Sequence, residues 1–326
     1  MPRVPVHREP KPAPHRRSRE DQNYRNSHYS QDDSKSRHSR DYNHAQPSHA
    51  NYHPNGHAKA HSSSRDKPKR TISTLTGHFV AAVGEFVGTF MFLYFAFAGQ
   101  IMLTTQSEAA PNGLASSQQN IFTALIYGFS LLVNVWAFYR ISGGLFNPAV
   151  TLGLVLSGGV PYIRGLFLFP AQLIAAMCAA GLVQAMFPGD IAATNTSLSP
   201  DTSIVQGVFI EMFMTAELVF VVLMLAVEKS KDTFIAPIGI GLTLFVAMMG
   251  GVFYTGGSLN PARSLGPAVA STQFVGYHWI YWVGPFLGAL VAAGFYRFVK
   301  FFDYEQVNPG QDSAGGDFDE EKGGRH

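Results

Sequence analysis

The sequence predicts an all-α membrane protein of six transmembrane helices plus two re-entrant half-helices arranged as an inverted repeat. Three observations predict it. Six apolar stretches approach the roughly 20 helical residues that cross about 30 Å of hydrocarbon, two more are too short to cross, and the two halves of the chain repeat one another. The average composition hides this. Of 326 residues 46% are hydrophobic, yet mean hydropathy is only +0.06, because polar segments flank an almost continuously apolar middle.

Residues 1–70 carry 15 Lys/Arg against 7 Asp/Glu, nine His, and many Ser, Asn, Gln and Pro. Such a segment cannot bury enough apolar surface to offset its ordering entropy, so it reads as a disordered basic cytoplasmic tail. Its charge precedes the first apolar span, which leaves no argument for nucleic acid as a partner. The histidines are irregularly spaced, and the one cysteine, Cys178, lies in an apolar run. No metal site, disulfide framework or cofactor is therefore expected. No apolar N-terminal stretch suggests a cleaved signal peptide. The apolar middle is placed at 71–302, and a Gly-rich acidic tail, also read as disordered and cytoplasmic, at 303–326.

The six spans are expected at 79–103, 121–138, 165–187, 204–227, 234–254 and 277–301. In lipid every backbone group must be satisfied within the segment or a closed barrel, and no alternating strands are visible, so the spans are helices. With Lys67, Lys69 and Arg70 in the cytoplasm, Arg140, Arg164, Lys229, Lys231, Arg297 and Lys300 all fall at cytoplasmic ends. The segments 104–120 and 188–203 hold no Lys or Arg. This positive-inside pattern puts both termini in the cytoplasm.

The short stretches, 145–156 and 259–270, are alike. Residues 142–153 (SGGLFNPAVTLG) and 255–266 (TGGSLNPARSLG) agree at seven of twelve positions, and Glu85 precedes Thr89 as Glu211 precedes Thr215. Each copy thus holds three spans and one short segment, repeat one over about 75–187 and repeat two over about 204–301. An odd number of spans makes the second copy enter from the opposite side, and paired interrupted segments in inverted halves point to a site near the midplane.

Each Asn-Pro-Ala triplet, Asn147-Pro148-Ala149 and Asn260-Pro261-Ala262, reads as a helix start, with Asn as N-cap and Pro at the first helical position. Two N-termini meeting at midplane would each present about half a positive charge, repelling cations and protons. The Asn147 and Asn260 amides can donate to a passing oxygen. A coupled transporter would need a titratable midplane site, which these triplets do not supply.

With Gly-Glu-Phe-Val-Gly-Thr opening the first span, Ala171-Gln172 in the third and His278-Trp-Ile-Tyr-Trp-Val-Gly-Pro285 in the sixth, the chain resembles the aquaporin, or major intrinsic protein, family over about 72–300, fungal orthodox members included. The resemblance implies a passive channel for water, a homotetramer with one pore per subunit, and several residue roles. Arg263 would be the arginine of the outer constriction, consistent with an intramembrane Arg being functional by default. Glu85, Glu211 and Gln172 would brace the re-entrant loops. Ser264, Ala268, Tyr281 and Trp282 match the water-conducting group.

The implied constriction departs from that group. It would comprise Tyr127, Met248, Gly257 and Arg263, with Met248 where typical water channels carry His and Gly257 offering only backbone. Met has no strong hydrogen-bonding group. Glycerol, hydrogen peroxide or another small neutral solute is thus an open alternative to water, and a closed-pore membrane-contact protein a remote one. Leu145 makes the inner vestibule apolar. Residues 69–73 resemble a basic-directed phosphorylation site centred on Ser73, at the membrane edge, where added charge would loosen a basic arm from anionic lipid. Asn195-Thr-Ser197 is a glycosylation sequon on the expected outer side. Glu217, mid-span and turned about 240° from Glu211, is a candidate subunit contact. No nucleophile, metal cluster or phosphate-binding loop appears, so the chain is not read as an enzyme. The plasma membrane is the expected location.

Overall fold

The computed structural model describes residues 73–109, 116–228 and 231–310. The expectations for residues 1–70, and for the tail beyond 310, lie outside them. Eight α-helices follow in order: α1 Thr74–Ala109, α2 Ser116–Phe138, α3 Pro148–Ser157, α4 Tyr162–Met186, α5 Ile204–Val222, α6 Ala236–Thr255, α7 Pro261–Ala270 and α8 Ile280–Phe301. No strand occurs among the described residues. Six helices, all but α3 and α7, are long and apolar enough to cross a membrane.

Most boundaries move by a few residues, each for a local reason. α1 extends to 36 residues, because Ser73 Oγ accepts the Thr76 N–H at 3.1 Å and caps it upstream of the apolar run. α5 starts at a full capping box between Ser203 and Gln206. The fourth span is not α-helical throughout: Leu223–Val227 winds as a π-helical turn. The Tyr139 hydroxyl donates to the Ala226 carbonyl in this turn. After it, Glu228 accepts from the Tyr296 hydroxyl and pairs with Lys300 at 3.2 Å. The polar segment from 303 is not wholly structureless as expected, since Tyr304–Gln306 form a 3-10 turn.

Helix faces sort by period. Phe79, Val83, Val87, Met91 and Phe95 form an exposed apolar stripe on α1, while Ala81, Gly88, Phe92 and Ala96 are buried. Packing obeys the repeat: α1 lies on α4, α5 on α8, and α2 meets α6 between the halves. The short helices are exchanged, α3 contacting α8 and α7 contacting α4. Small residues permit the approach. A Cβ on Gly128 would stand 2.8 Å from the Gly241 carbonyl, and one on Gly241 2.7 Å from the Gly128 carbonyl.

Candidate functional site

The loops before α3 and α7 are built alike. Asn147 and Asn260 have extended backbones (φ −153° and −150°), and their side chains accept from Ala149 N and Ala262 N respectively. Pro148 and Pro261 occupy the first helical positions, where a missing N–H is harmless. The residues just before the caps, Phe146 (φ 51°) and Leu259 (φ 52°), are left-handed although neither is Gly. That conformation costs roughly 1–2 kcal/mol for a residue with a Cβ, so something must hold it.

Two buried carboxylates hold it. Glu85 accepts from the Ser142 hydroxyl (2.7 Å), Leu145 N (2.9 Å), Phe146 N (2.7 Å) and Gln172 Nε2 (2.9 Å). Glu211 accepts from the Thr255 hydroxyl (2.6 Å), Ser258 N (2.9 Å) and Leu259 N (2.7 Å). Both are fully buried. A desolvated carboxylate survives only with such a donor set, and here the donors are the loop backbones themselves.

The loops also grip each other. Asn147 Nδ2 donates to the Leu259 carbonyl at 2.8 Å, and Asn260 Nδ2 to the Phe146 carbonyl at 2.9 Å. Each amide carries two N–H groups. One is spent on the opposite loop and one is left for the cavity that both asparagines line.

That cavity, about 370 Å³, runs from Tyr139, Arg140 and Arg164 at one end of the bundle, past Leu145, Val150 and Leu154, to Asn147 and Asn260, and on to Tyr127, Met248, Gly257 and Arg263. The four residues expected at the constriction are thus together. Arg263 is 1% exposed. Its Nε donates to the Gly257 carbonyl (3.2 Å), Nη1 to the Thr194 carbonyl (2.6 Å), and Nη2 to the Gly256 carbonyl (3.3 Å) and, weakly, to Gln100 Oε1 (3.5 Å). With five N–H groups on a guanidinium, one on Nη1 is left over. The Tyr127 ring covers the guanidinium at 4.8 Å and Phe97 flanks it at 5.9 Å. Met248 is fully buried. A Cβ on Gly257 would lie 3.1 Å from Met248 Cε, and Gly257 has φ +64°. The long thioether fills the space that the glycine leaves.

The remaining expected residues surround the cavity without lining it. The Ser264 hydroxyl bonds Thr196 (2.9 Å) and Ser258 (2.6 Å), and the Tyr281 hydroxyl donates to the Thr255 carbonyl at 3.0 Å. Trp282 meets Phe169 at a tilt and Phe286 edge to face. Ala268 is buried beside Ser264 on the wall of an outer pocket. Ser73 is exposed. Glu217 is exposed on α5, at a groove between α5 and α6. Asn195, the sequon residue, donates to the Ser271 hydroxyl at 3.0 Å, and its Oδ1 is buried. Outside the spans, burial lowers the affinity of the His278 imidazole for a proton and raises that of the Tyr139 phenolate.

Gln100, Thr194 and Thr196 were not foreseen. Gln100 had a signal, as the one Gln in the 79–103 stretch. Thr194 and Thr196 had none, since they act through a turn folded back from the loop between α4 and α5.

The family profile described as "Major intrinsic protein" matches residues 73–296. "Probable aquaporin-3" of Gibberella zeae is 62% identical over 272 residues, covering 79% of this chain and 95% of its own length. "Aquaporin-7" of Botryotinia fuckeliana is 57% identical over 241 residues, 73% of this chain, which spans about half (53%) of that relative. Among solved structures, an aquaglyceroporin from Plasmodium falciparum superposes with a TM-score of 0.61 at 21% identity, over 71% of this chain and 98% of that one. That likeness is one of fold.

Proposed function

The chain belongs to the major intrinsic protein family, a family of membrane channels, and on that premise we propose that it passes water down an osmotic gradient, in single file. The observation that carries this reading is the cavity that leads past both Asn147 and Asn260 to Arg263. In this reading the spare amide hydrogens of Asn147 and Asn260 turn each passing water. The N-termini of α3 and α7 repel cations and hydrated protons. Arg263 offers its spare N–H to the solute and adds a full positive charge. Glu85, Glu211 and Gln172 brace the loops, and Ser264, Ala268, Tyr281 and Trp282 support them from behind. No chemical step is assigned to the protein.

The subunits are proposed to form a homotetramer in the plasma membrane, with both termini cytoplasmic, and Glu217 is a proposed subunit contact. Ser73 is a proposed phosphorylation site. A phosphate there would sit on the N-terminus of α1, where negative charge is favoured. Use of Asn195 as a glycosylation site is not proposed, because its amide is engaged with Ser271.

Reconstituted vesicles subjected to an osmotic jump test the main reading. Faster shrinkage than empty vesicles is expected, and an equal rate with folded protein present would sink it. One observation favours a second reading, a channel for glycerol, hydrogen peroxide or a similar neutral solute. The cavity that holds Arg263 is also lined by the apolar thioether of Met248, which contributes no strong hydrogen-bond partner of its own. Isotonic uptake of glycerol and of peroxide, compared with water flux on the same vesicles, separates the two.

A further inference from the structure

We propose that Gln100 determines specificity at the outer constriction: it holds the Tyr127 hydroxyl in the wall, so that a passing solute meets the tyrosine ring and not its hydroxyl. The inference rests on the reading of Tyr127 and Arg263 as the solute-selecting constriction.

Three contacts fix the Gln100 amide. Nε2 donates to the Ala193 carbonyl at 3.0 Å, in the turn Ile191–Thr194, which leaves Oε1 facing inward as an acceptor. Oε1 takes the Tyr127 hydroxyl at 2.9 Å and lies 3.5 Å from Arg263 Nη2. The reverse orientation is excluded chemically. It would set an amide oxygen against a carbonyl and an NH₂ against a guanidinium.

A phenol has one proton to donate, and that of Tyr127 is committed to Gln100. The ring is held from other sides as well, edge to face with Phe97 at 6.4 Å and over the Arg263 guanidinium at 4.8 Å. Gln100 therefore sets two properties of the constriction. It fixes how closely the Tyr127 ring covers Arg263, and it withholds a hydroxyl that would otherwise serve a solute. Because Met248 supplies no strong partner on its side, a released Tyr127 hydroxyl would become the added polar group for a polyol. Gln100 acts through Tyr127, as a positioning residue.

The test uses the full chain and its variants in proteoliposomes, with stopped-flow measurement of water and glycerol flux. Gln100→Leu is expected to raise the glycerol-to-water ratio about three- to tenfold, the factor that one net hydrogen bond is worth. In a Tyr127→Phe background the same substitution is expected to produce no such rise, because no hydroxyl remains to be released. A merely structural role would not produce that dependence. An unchanged ratio in Gln100→Leu, or an equal rise in both backgrounds, overturns the proposal. Should Gln100→Leu fail to fold, Gln100→Asn, too short to reach Tyr127 and still an amide, carries the same expectations. A parent protein without flux of either solute would instead sink the channel reading itself.

Discussion

The loop before α3 and the loop before α7 share a scaffold and differ in what they present. Both turn through left-handed residues onto an Asn cap, and both are pinned by one buried glutamate. Three residues beyond the caps stand Val150 in one half and Arg263 in the other, and two residues before them Leu145 and Ser258. At these two positions the first half thus presents apolar groups to the cavity, and its polar brace, Gln172 and Thr151, is buried behind the loop. The second half places a cation in the wall and surrounds it with the Thr194, Gly256 and Gly257 carbonyls. The lesson is that duplication copied the backbone support, while the side chains set on that support diverged, with a cation on one copy only.

The largest effect breaks what the two loops share. Glu211→Leu leaves the Ser258 and Leu259 backbone N–H groups with no acceptor and the Thr255 hydroxyl with only the Gly251 carbonyl at 3.3 Å. At about 1–3 kcal/mol for each orphaned donor, the loss approaches a whole protein's stability of roughly 5–15 kcal/mol. No monodisperse protein is expected after detergent extraction. Glu85→Leu, which strips the acceptor from four donors, is expected to fare no better. Recovery of either variant with normal water flux would show that the carboxylates are dispensable.

Next comes removal of the chief difference. Arg263→Val copies Val150 into α7 and deletes the full charge. Proton leak, read with a pH dye inside the vesicles, is expected to rise about tenfold or more, since each 1.4 kcal/mol of lost barrier is a factor of ten. An unchanged leak would assign the whole barrier to the asparagines and the helix termini. Met248→His then adds a polar partner to the cavity wall beside Gly257, with a severalfold rise in the water-to-glycerol ratio expected, about the worth of one hydrogen bond. If the ratio stays put, Met248 does not face the solute. The smallest effect belongs to Leu145→Ser, which copies Ser258 into the first half. It is expected to change water flux by less than about twofold, a barrier change of under about 0.4 kcal/mol, because the Leu145 N–H stays on Glu85 and the two asparagines and Arg263 are untouched.

Much of this was legible beforehand because local rules coincide with the global arrangement. Asn147-Pro148 and Asn260-Pro261 are helix starts wherever they occur, and the stretches they open are too short to cross, so the half-helices followed. Glu85 and Glu211, costly in a span, had to find donors, and did. Gln100 was passed over because one polar residue in a span has no meaning until its neighbours are known, and these come from α2, α7 and the turn at 191–194. The π-helical turn at Leu223–Val227 escaped for the same reason. Its carbonyl and its following Glu228 are met by Tyr139, Tyr296 and Lys300 from elsewhere in the chain.

By itself the sequence determined the number of spans, the inversion of the repeat and the residues that start the half-helices. Hydrocarbon thickness, backbone satisfaction and an odd span count depend only on order along the chain. The tertiary structure alone decided which hydrogens of Asn147, Asn260 and Arg263 are spent and which are left for the cavity. It also decided that Met248 fills the space beside Gly257, and that the Tyr127 hydroxyl is bound to Gln100. Those outcomes depend on partners from different elements, from 27 residues apart for Tyr127 and Gln100 to 112 for Asn147 and Leu259, and no local pattern encodes which buried donor reaches which acceptor first.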